Sequence, residues 1–353
     1  MKKLWNQLNY PYRLDEIILS RDKNNFDTVR HFAALIVIYS HCSLFVGTTQ
    51  YLGAFGVPLF FFLSGLLVSQ SFEASSSVKN FIWRRFLRIY PAAVVAILIC
   101  ALVLGPLLTS YTIGNYFKSP VFWKNISSIS LVQIYFDLPG VFEQSPLGRS
   151  VNNVLWTLPL EIKMYFFTLV WGLFRFRGKN VVLIVIALFL IFIGANCPKP
   201  AQVFLQTQLH LTNFQIFPYI TAVPLYLLGM LSYSYRSKIV VRPYWFVVGL
   251  LVFLAFVKFP FFSYLVQICI AVITLGFTVL NLKWLKKIAP QSDFSYGLYI
   301  YGYPVEQVMV NYAYPYINGF PLFLLILLIT FVLAFLSWNF IEKRALQFKN
   351  YMK

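Results

Sequence analysis

Ten stretches of apolar sequence follow one another along this chain, near 31–47, 52–72, 90–110, 152–174, 180–195, 216–233, 244–257, 262–281, 295–311 and 320–340. A run of about 17–25 apolar residues crosses a hydrocarbon core of about 30 Å as a helix. The fifth and seventh are the short ones. Pro91, Pro159, Pro224 and Pro304 fall within runs, which is tolerable where neighbouring helices satisfy the carbonyls that proline frees. Only 11% of the residues are charged, against about 25% in a soluble domain. The pattern predicts an all-α integral membrane protein of about ten transmembrane helices, folded as a single multi-pass domain over residues 1–353.

Basic residues set an orientation. Of the 29 Lys and Arg residues, all but Lys118, Lys124, Arg149, Lys163, Lys199 and Lys258 fall on the N-terminal segment, on alternate connections or on the C-terminal tail. Positive charge marks the cytoplasmic side, so both termini are expected there. Residues 1–30 then form a cytoplasmic segment, 111–151 an extracytoplasmic loop and 342–353 a cytoplasmic tail. No apolar stretch near the start has the length and flanks of a cleavable signal. The net charge of +18 is spread over the ends of runs rather than gathered into a patch, which argues against nucleic acid. Cys42, Cys100, Cys197 and Cys269 have no metal-like spacing and read as small buried hydrophobes. The loop 111–151 is rich in aromatic and polar residues. A loop of that length is usually functional or disordered, and an aromatic surface can bind sugar faces or simply pack at the membrane interface.

Ionisable groups deep in a span are costly and default to function. By helix rise, His41 lies roughly 16 Å above the cytoplasmic start of the first span and Glu161 roughly 14 Å below the outer start of the fourth. Both reach the neighbourhood of the midplane. A carboxylate beside an imidazole fixes its tautomer and stabilises the imidazolium, which makes a general base. The plainer reading makes each a structural hydrogen-bonding group, with Lys163 part of a local polar cluster around Glu161. Arg84, Arg85 and Arg88 precede the third run, with Arg85 and Arg88 on one helical face. Guanidinium forks suit the phosphates of a nucleotide-like donor; anchoring on anionic lipid is the alternative.

Several segments share an order with one known family. FDTVRHFAALIVIYSHCSLF sets Arg30 and His41 apart by ten intervening residues, PLFFFLSGLLVS covers 58–69, and RRFLRIYP covers 84–91. WTLPLEIKMYFF follows at 156–167, SYGLYIYGYPVEQ at 295–307 and FIEKRAL at 340–346. Together they resemble the membrane-bound acyltransferase 3 family. The resemblance implies an O-acyltransferase of a bacterial inner membrane. Its donor would be acyl-CoA, most often cytoplasmic acetyl-CoA used as a substrate, with no permanently bound cofactor and no metal. Its acceptor would be a hydroxyl of a surface polysaccharide or a lipid-linked glycan precursor. Carried onto this chain, His41 becomes the catalytic base or acyl carrier, and Glu161 assists it or orients the acceptor. Arg30, Arg85 and Arg88 become donor-binding groups.

One departure concerns the segment at 295–304. Many relatives carry a histidine there, where this chain has Tyr301 and Gly302, and the nearby Glu306 reads as structural. The tail after the last run is about a dozen residues, so a member without an appended SGNH domain is expected. The competing function is a proton-coupled transporter or flippase of a glycan or lipid precursor, with His41 and Glu161 as a proton relay. No internal symmetry of the kind common in transporters is visible. A membrane scaffold would leave the midplane ionisable groups unexplained. The sequence carries no trace of the glycan, the acyl chain or the oligomeric state.

Overall fold

A computed structural model describes residues 9–20, 24–46, 53–174, 176–196, 213–256, 263–280 and 293–352. Cys197 and Lys199 lie outside them. Each of the ten predicted runs holds a helix. These are α2 (Phe26–Val46), α3 (Gly53–Glu73), α4 (Val78–Ile99), α7 (Thr157–Leu173), α8 (Lys179–Asn196), α9 (Asn213–Ser234), α10 (Tyr244–Phe256), α11 (Ser263–Thr278), α12 (Ser295–Tyr312) and α13 (Gly319–Ser337). The short helices are α1 (Leu14–Leu19), α5 (Ile113–Lys118) and α6 (Pro120–Ser127). Two-residue strands β1 (Tyr12–Arg13) and β2 (Val240–Val241) pair antiparallel.

By length and hydropathy, four helical stretches among the described residues are fit to cross a membrane: Phe55–Glu73, Val78–Leu108, Asn153–Leu173 and Gly319–Asn350. Lys179–Ile193, Tyr244–Phe256 and Leu265–Thr278 are shorter apolar helices. The distribution of side chains has the same cause. Val185, Phe189 and Phe192 on α8, Val248 and Leu251 on α10, and Leu328, Phe331 and Phe335 on α13 are exposed, whereas Glu306, Gln307 and Thr330 are fully buried. Apolar side chains displayed that widely are suited to lipid rather than water. This is a membrane protein.

The chain divides into two compact units, interleaved in sequence. The first comprises Met1–Ala33, Ala54–Ala74 and Met164–Gln291. In it α3 and α9 pack with their backbones almost touching, because Gly65 faces the Tyr226 carbonyl and Gly229 faces the Phe62 carbonyl. Without aqueous hydrophobic driving force, such small-residue contacts are how membrane helices gain packing energy. Asn25 Nδ2 donates to the carbonyls of Phe277 (3.2 Å) and Leu280 (2.6 Å), tying off the end of α11.

The second unit comprises Ala34–Gly53, Ser75–Lys163 and Ser292–Lys353, and α12 is its central helix. Burial is nearly continuous from Ser295 to Gln307. Two glycines make that possible. A Cβ on Gly297 would come within 2.8 Å of the Ala334 Cα on α13, and one on Gly302 within 2.9 Å of Ile38 Cγ1 on α2. The close approach of α2 to α12 brings the site together.

Both long helices of this unit continue through a π turn. α4 passes Cys100–Leu104 and runs to Leu108; α13 passes Trp338–Glu342 and runs to Gln347. At the first turn, the Tyr116 hydroxyl donates to the Ala101 carbonyl at 2.7 Å, and burial pushes this phenol's pKa up. At the second, Ser337 Oγ donates to Glu342 Oε1 at 2.9 Å, across the five-residue interval that a π turn brings into line.

The long connection between α4 and α7 is an ordered cap rather than a slack loop. It carries α5 and α6 and a small core in which Tyr116, Phe122, Leu138, Val141, Phe142 and Val151 pack on Cys100 and Ala101. Asn125 Nδ2 holds its returning segment through the Tyr135 carbonyl at 2.8 Å.

Candidate active site

His41 lies on α2 with its side chain 29% exposed, reachable yet largely walled in. Its Nδ1 is 3.2 Å from Glu306 Oε2 on α12. The Tyr303 ring, one turn back along α12, meets the imidazole edge-on with centroids 5.1 Å apart. Glu306 has no exposed surface. Its Oε1 is buried without a hydrogen-bond partner, and the buried Cys42 thiol lies beside the same carboxylate. Burying a lone carboxylate is costly unless it is paired, so Glu306 depends on the imidazole.

The pairing has a direct chemical consequence. An ionised carboxylate only accepts hydrogen bonds, so with Glu306 ionised Nδ1 carries the proton and donates it. Nε2 is then left with its lone pair free to receive a proton from a substrate. If Nε2 takes that proton, the negative charge of Glu306 stabilises the resulting imidazolium.

Glu161 is the carboxylate that the sequence places beside His41; in the structure that position belongs to Glu306. Glu161 is half-buried on α7 and interacts electrostatically with Tyr299, whose hydroxyl donates to the Val154 carbonyl at 3.0 Å. Tyr299 precedes Glu306 by seven residues, or about 10 Å along the helix axis. Lys163 is exposed. Glu306, which the sequence reads as structural, is the carboxylate in contact with His41. The clue was available, since an ionisable residue followed by a glutamine in the middle of an apolar run is costly wherever it points.

At the other end of α12, Arg88 on α4 forms an ion pair with Asp293, and Ser295 Oγ donates to the same carboxylate. Glu342, 3% exposed, is a second buried carboxylate in the field of Arg88. Arg85 shares the helix and is half-buried. Arg30 lies eleven residues before His41 on α2 and pairs with Asp27 at 3.3 Å. Neither Asp293 nor Glu342 was singled out by the sequence, where each reads as one more charge at the end of a run. Among the described residues, no group of three His, Cys, Asp or Glu side chains is arranged to hold a metal ion.

Known proteins resemble this chain in sequence. The family described as an acyltransferase domain matches residues 23–339. An O-acetyl transferase of Shigella phage Sf6 is 29% identical over 333 residues, which is 92% of this chain and 96% of the relative. Nodulation protein 10 of Rhizobium leguminosarum bv. viciae is 33% identical over 160 residues, covering 41% of this chain and 43% of that protein. No solved structure matches significantly. The family match takes in His41, Glu306, Arg30, Arg85 and Arg88. The chain belongs to the acyltransferase 3 family and is an acyltransferase.

Proposed function

We propose that the protein moves an acetyl group from cytoplasmic acetyl-CoA to a hydroxyl of a surface polysaccharide or of its lipid-linked precursor. The observation that carries this reading is the layout of α12. His41 and Glu306 meet near one end, and Arg88 stands at the other, against Asp293. From Ser295 to Glu306 is eleven residues, or about 16 Å at helical rise. A donor with phosphates at one end and a reactive thioester on a long flexible arm fits that separation. The phosphates would engage Arg85 and Arg88, while Arg30 is assigned to the donor by its motif position alone. This layout favours acyl transfer over proton-coupled transport.

The proposed reaction is direct transfer, with His41 as the base. His41 Nε2 removes the proton from the acceptor hydroxyl as its oxygen attacks the thioester carbonyl. Collapse of the tetrahedral intermediate breaks the carbon–sulfur bond, and the imidazolium returns its proton to the departing CoA thiolate. The products are the O-acetyl ester and free CoA. Glu306 keeps its charge throughout and steadies the imidazolium. Glu161, on α7 beside Tyr299 of α12, orients the acceptor.

The chain is placed across the bacterial inner membrane in ten spans with both termini in the cytoplasm, so the arginine end faces the CoA pool. The name of the phage relative, O-acetyl transferase, supports acetyl as the acyl group. The deciding experiment incubates purified protein with acetyl-CoA and de-O-acetylated surface polysaccharide, reading free CoA by thiol assay and new O-acetyl signals by NMR. CoA release with matching O-acetyl signals is expected. CoA release without any O-acetyl signal would reject the glycan acceptor, and no CoA release would reject the donor.

A further inference from the structure

Beside the reactive pair, α12 holds a piece of the α4–α7 connection with unusual thoroughness. Gln307 is fully buried. Its Nε2 donates to the carbonyls of Gly148 (2.8 Å) and Ser150 (2.7 Å), and its Oε1 accepts from Ser145 Oγ at 2.6 Å. One turn back, the Tyr303 hydroxyl donates to the Leu147 carbonyl at 3.1 Å, while its ring lies edge-on to His41. Asn152 Nδ2 adds a bond to the Ile300 carbonyl at 2.9 Å. Three carbonyls of the segment are thus spent on α12, and Ser145 Oγ also accepts from the Leu147 amide at 3.2 Å.

A general base needs none of this. The fixed backbone leaves the side chains of Glu143, Gln144 and Arg149 exposed, on a segment whose Leu147 carbonyl is bonded to the tyrosine that touches His41. One carboxylate, one amide and one guanidinium supply donors and acceptors in both senses, as needed to read several hydroxyl groups at once. Because the segment is already ordered, little conformational entropy is lost when a ligand docks on it.

We propose that residues 143–150 form the acceptor-recognition lip of the enzyme. Gln307 and Tyr303 are positioning residues that hold it, and Glu143, Gln144 and Arg149 contact the hydroxyl groups of a carbohydrate acceptor. This rests on the carbohydrate-acceptor reading above. It adds which residues choose the acceptor, and it separates them from those that serve the donor at the far end of α12.

The test uses the full chain in nanodiscs with acetyl-CoA and four p-nitrophenyl glycosides as acceptors: glucoside, galactoside, rhamnoside and N-acetylglucosaminide. Wild-type protein that acylates none of them removes the carbohydrate acceptor, and the lip falls with it. Where the wild type acylates one, the triple variant Glu143→Ala/Gln144→Ala/Arg149→Ala is expected to raise the acceptor KM by about tenfold. Its KM for acetyl-CoA is expected to stay within about twofold. Gln307→Leu should raise the acceptor KM and reorder preference among the glycosides. The triple variant alters only exposed side chains, so it carries the test even if Gln307→Leu does not fold. An unchanged acceptor KM in the triple variant, a parallel rise in both KM values, or a fall in kcat alone would overturn the lip while leaving the acyltransferase reading standing.

Discussion

Glu306 follows His41 by 265 residues in sequence and lies 3.2 Å from its Nδ1 in space. Its second oxygen is buried without a hydrogen-bond partner. A charge on a carboxylate so enclosed is costly to bury. Glu306→Gln preserves the shape, because the amide oxygen can still accept from Nδ1, but it removes the charge that stabilises the imidazolium. The expected result is a fall in kcat of about 10²-fold, within the range by which positioned proton transfer accelerates reactions. Both KM values and the melting temperature should hold or the latter rise, since a buried charge is gone. A kcat equal to wild type would remove Glu306 from the mechanism.

His41→Ala is a poor test by itself, because it leaves Glu306 buried and unpaired and can unfold the site. His41→Gln avoids this: its amide N–H can still reach the carboxylate, while no group remains to take a proton. We expect acetyl-CoA-dependent CoA release to fall by about 10²- to 10⁴-fold with an unchanged melting temperature. Residual activity near wild type would mean that the base lies elsewhere, with Glu161 the next group to substitute.

Arg88 is already neutralised by Asp293, so donor phosphates must compete for it. That competition separates a donor-binding role from a structural one. Arg88→Ala should raise the KM for acetyl-CoA by about tenfold, equivalent to about 1.4 kcal/mol. Asp293→Asn should lower that KM, since the guanidinium is released toward the donor, at some cost in melting temperature. If Arg88 only fastens α4 to the start of α12, both variants lose thermal stability and neither moves the donor KM.

The helices were legible because each follows from a local property, a run of apolar residues long enough to satisfy its own backbone in lipid. His41 was legible for the same kind of reason, since a lone ionisable group in such a run is costly wherever it points. Its partner was not. Glu161 and Glu306 present the same signal in sequence, a carboxylate inside an apolar stretch, and only the packing of α12 against α2 distinguishes them. Nothing local in the sequence shows what Gly302 does, which is to leave room for Ile38. The order of the α4–α7 connection was hidden for a similar reason. It depends on Gln307, Tyr303 and Asn125 finding carbonyls far away in sequence, whereas local composition shows only a long aromatic loop.

The two glycines of α12 offer the sharpest separation of folding from chemistry. At Gly297 a new Cβ would stand 2.8 Å from the Ala334 Cα and 2.9 Å from its Cβ. Backbone cannot turn aside, so α12 and α13 must move apart, and overpacking of this kind costs about 1–3 kcal/mol. At Gly302 the nearest atoms are Ile38 Cγ1 at 2.9 Å and Cδ1 at 3.3 Å, which a rotamer change and a small shift of α2 can relieve. That small shift falls on the helix that carries His41, one turn from where it meets Glu306. Gly297→Ala is therefore expected to lower the melting temperature with kcat of the folded fraction retained. Gly302→Ala should keep most of its stability yet lose about tenfold in kcat, since modest misplacement of a reacting group is costly. Thermal denaturation and CoA release measured on the same preparations check both. Equal losses of stability and activity in the two variants would show that the α2–α12 approach has no particular bearing on the His41–Glu306 pair.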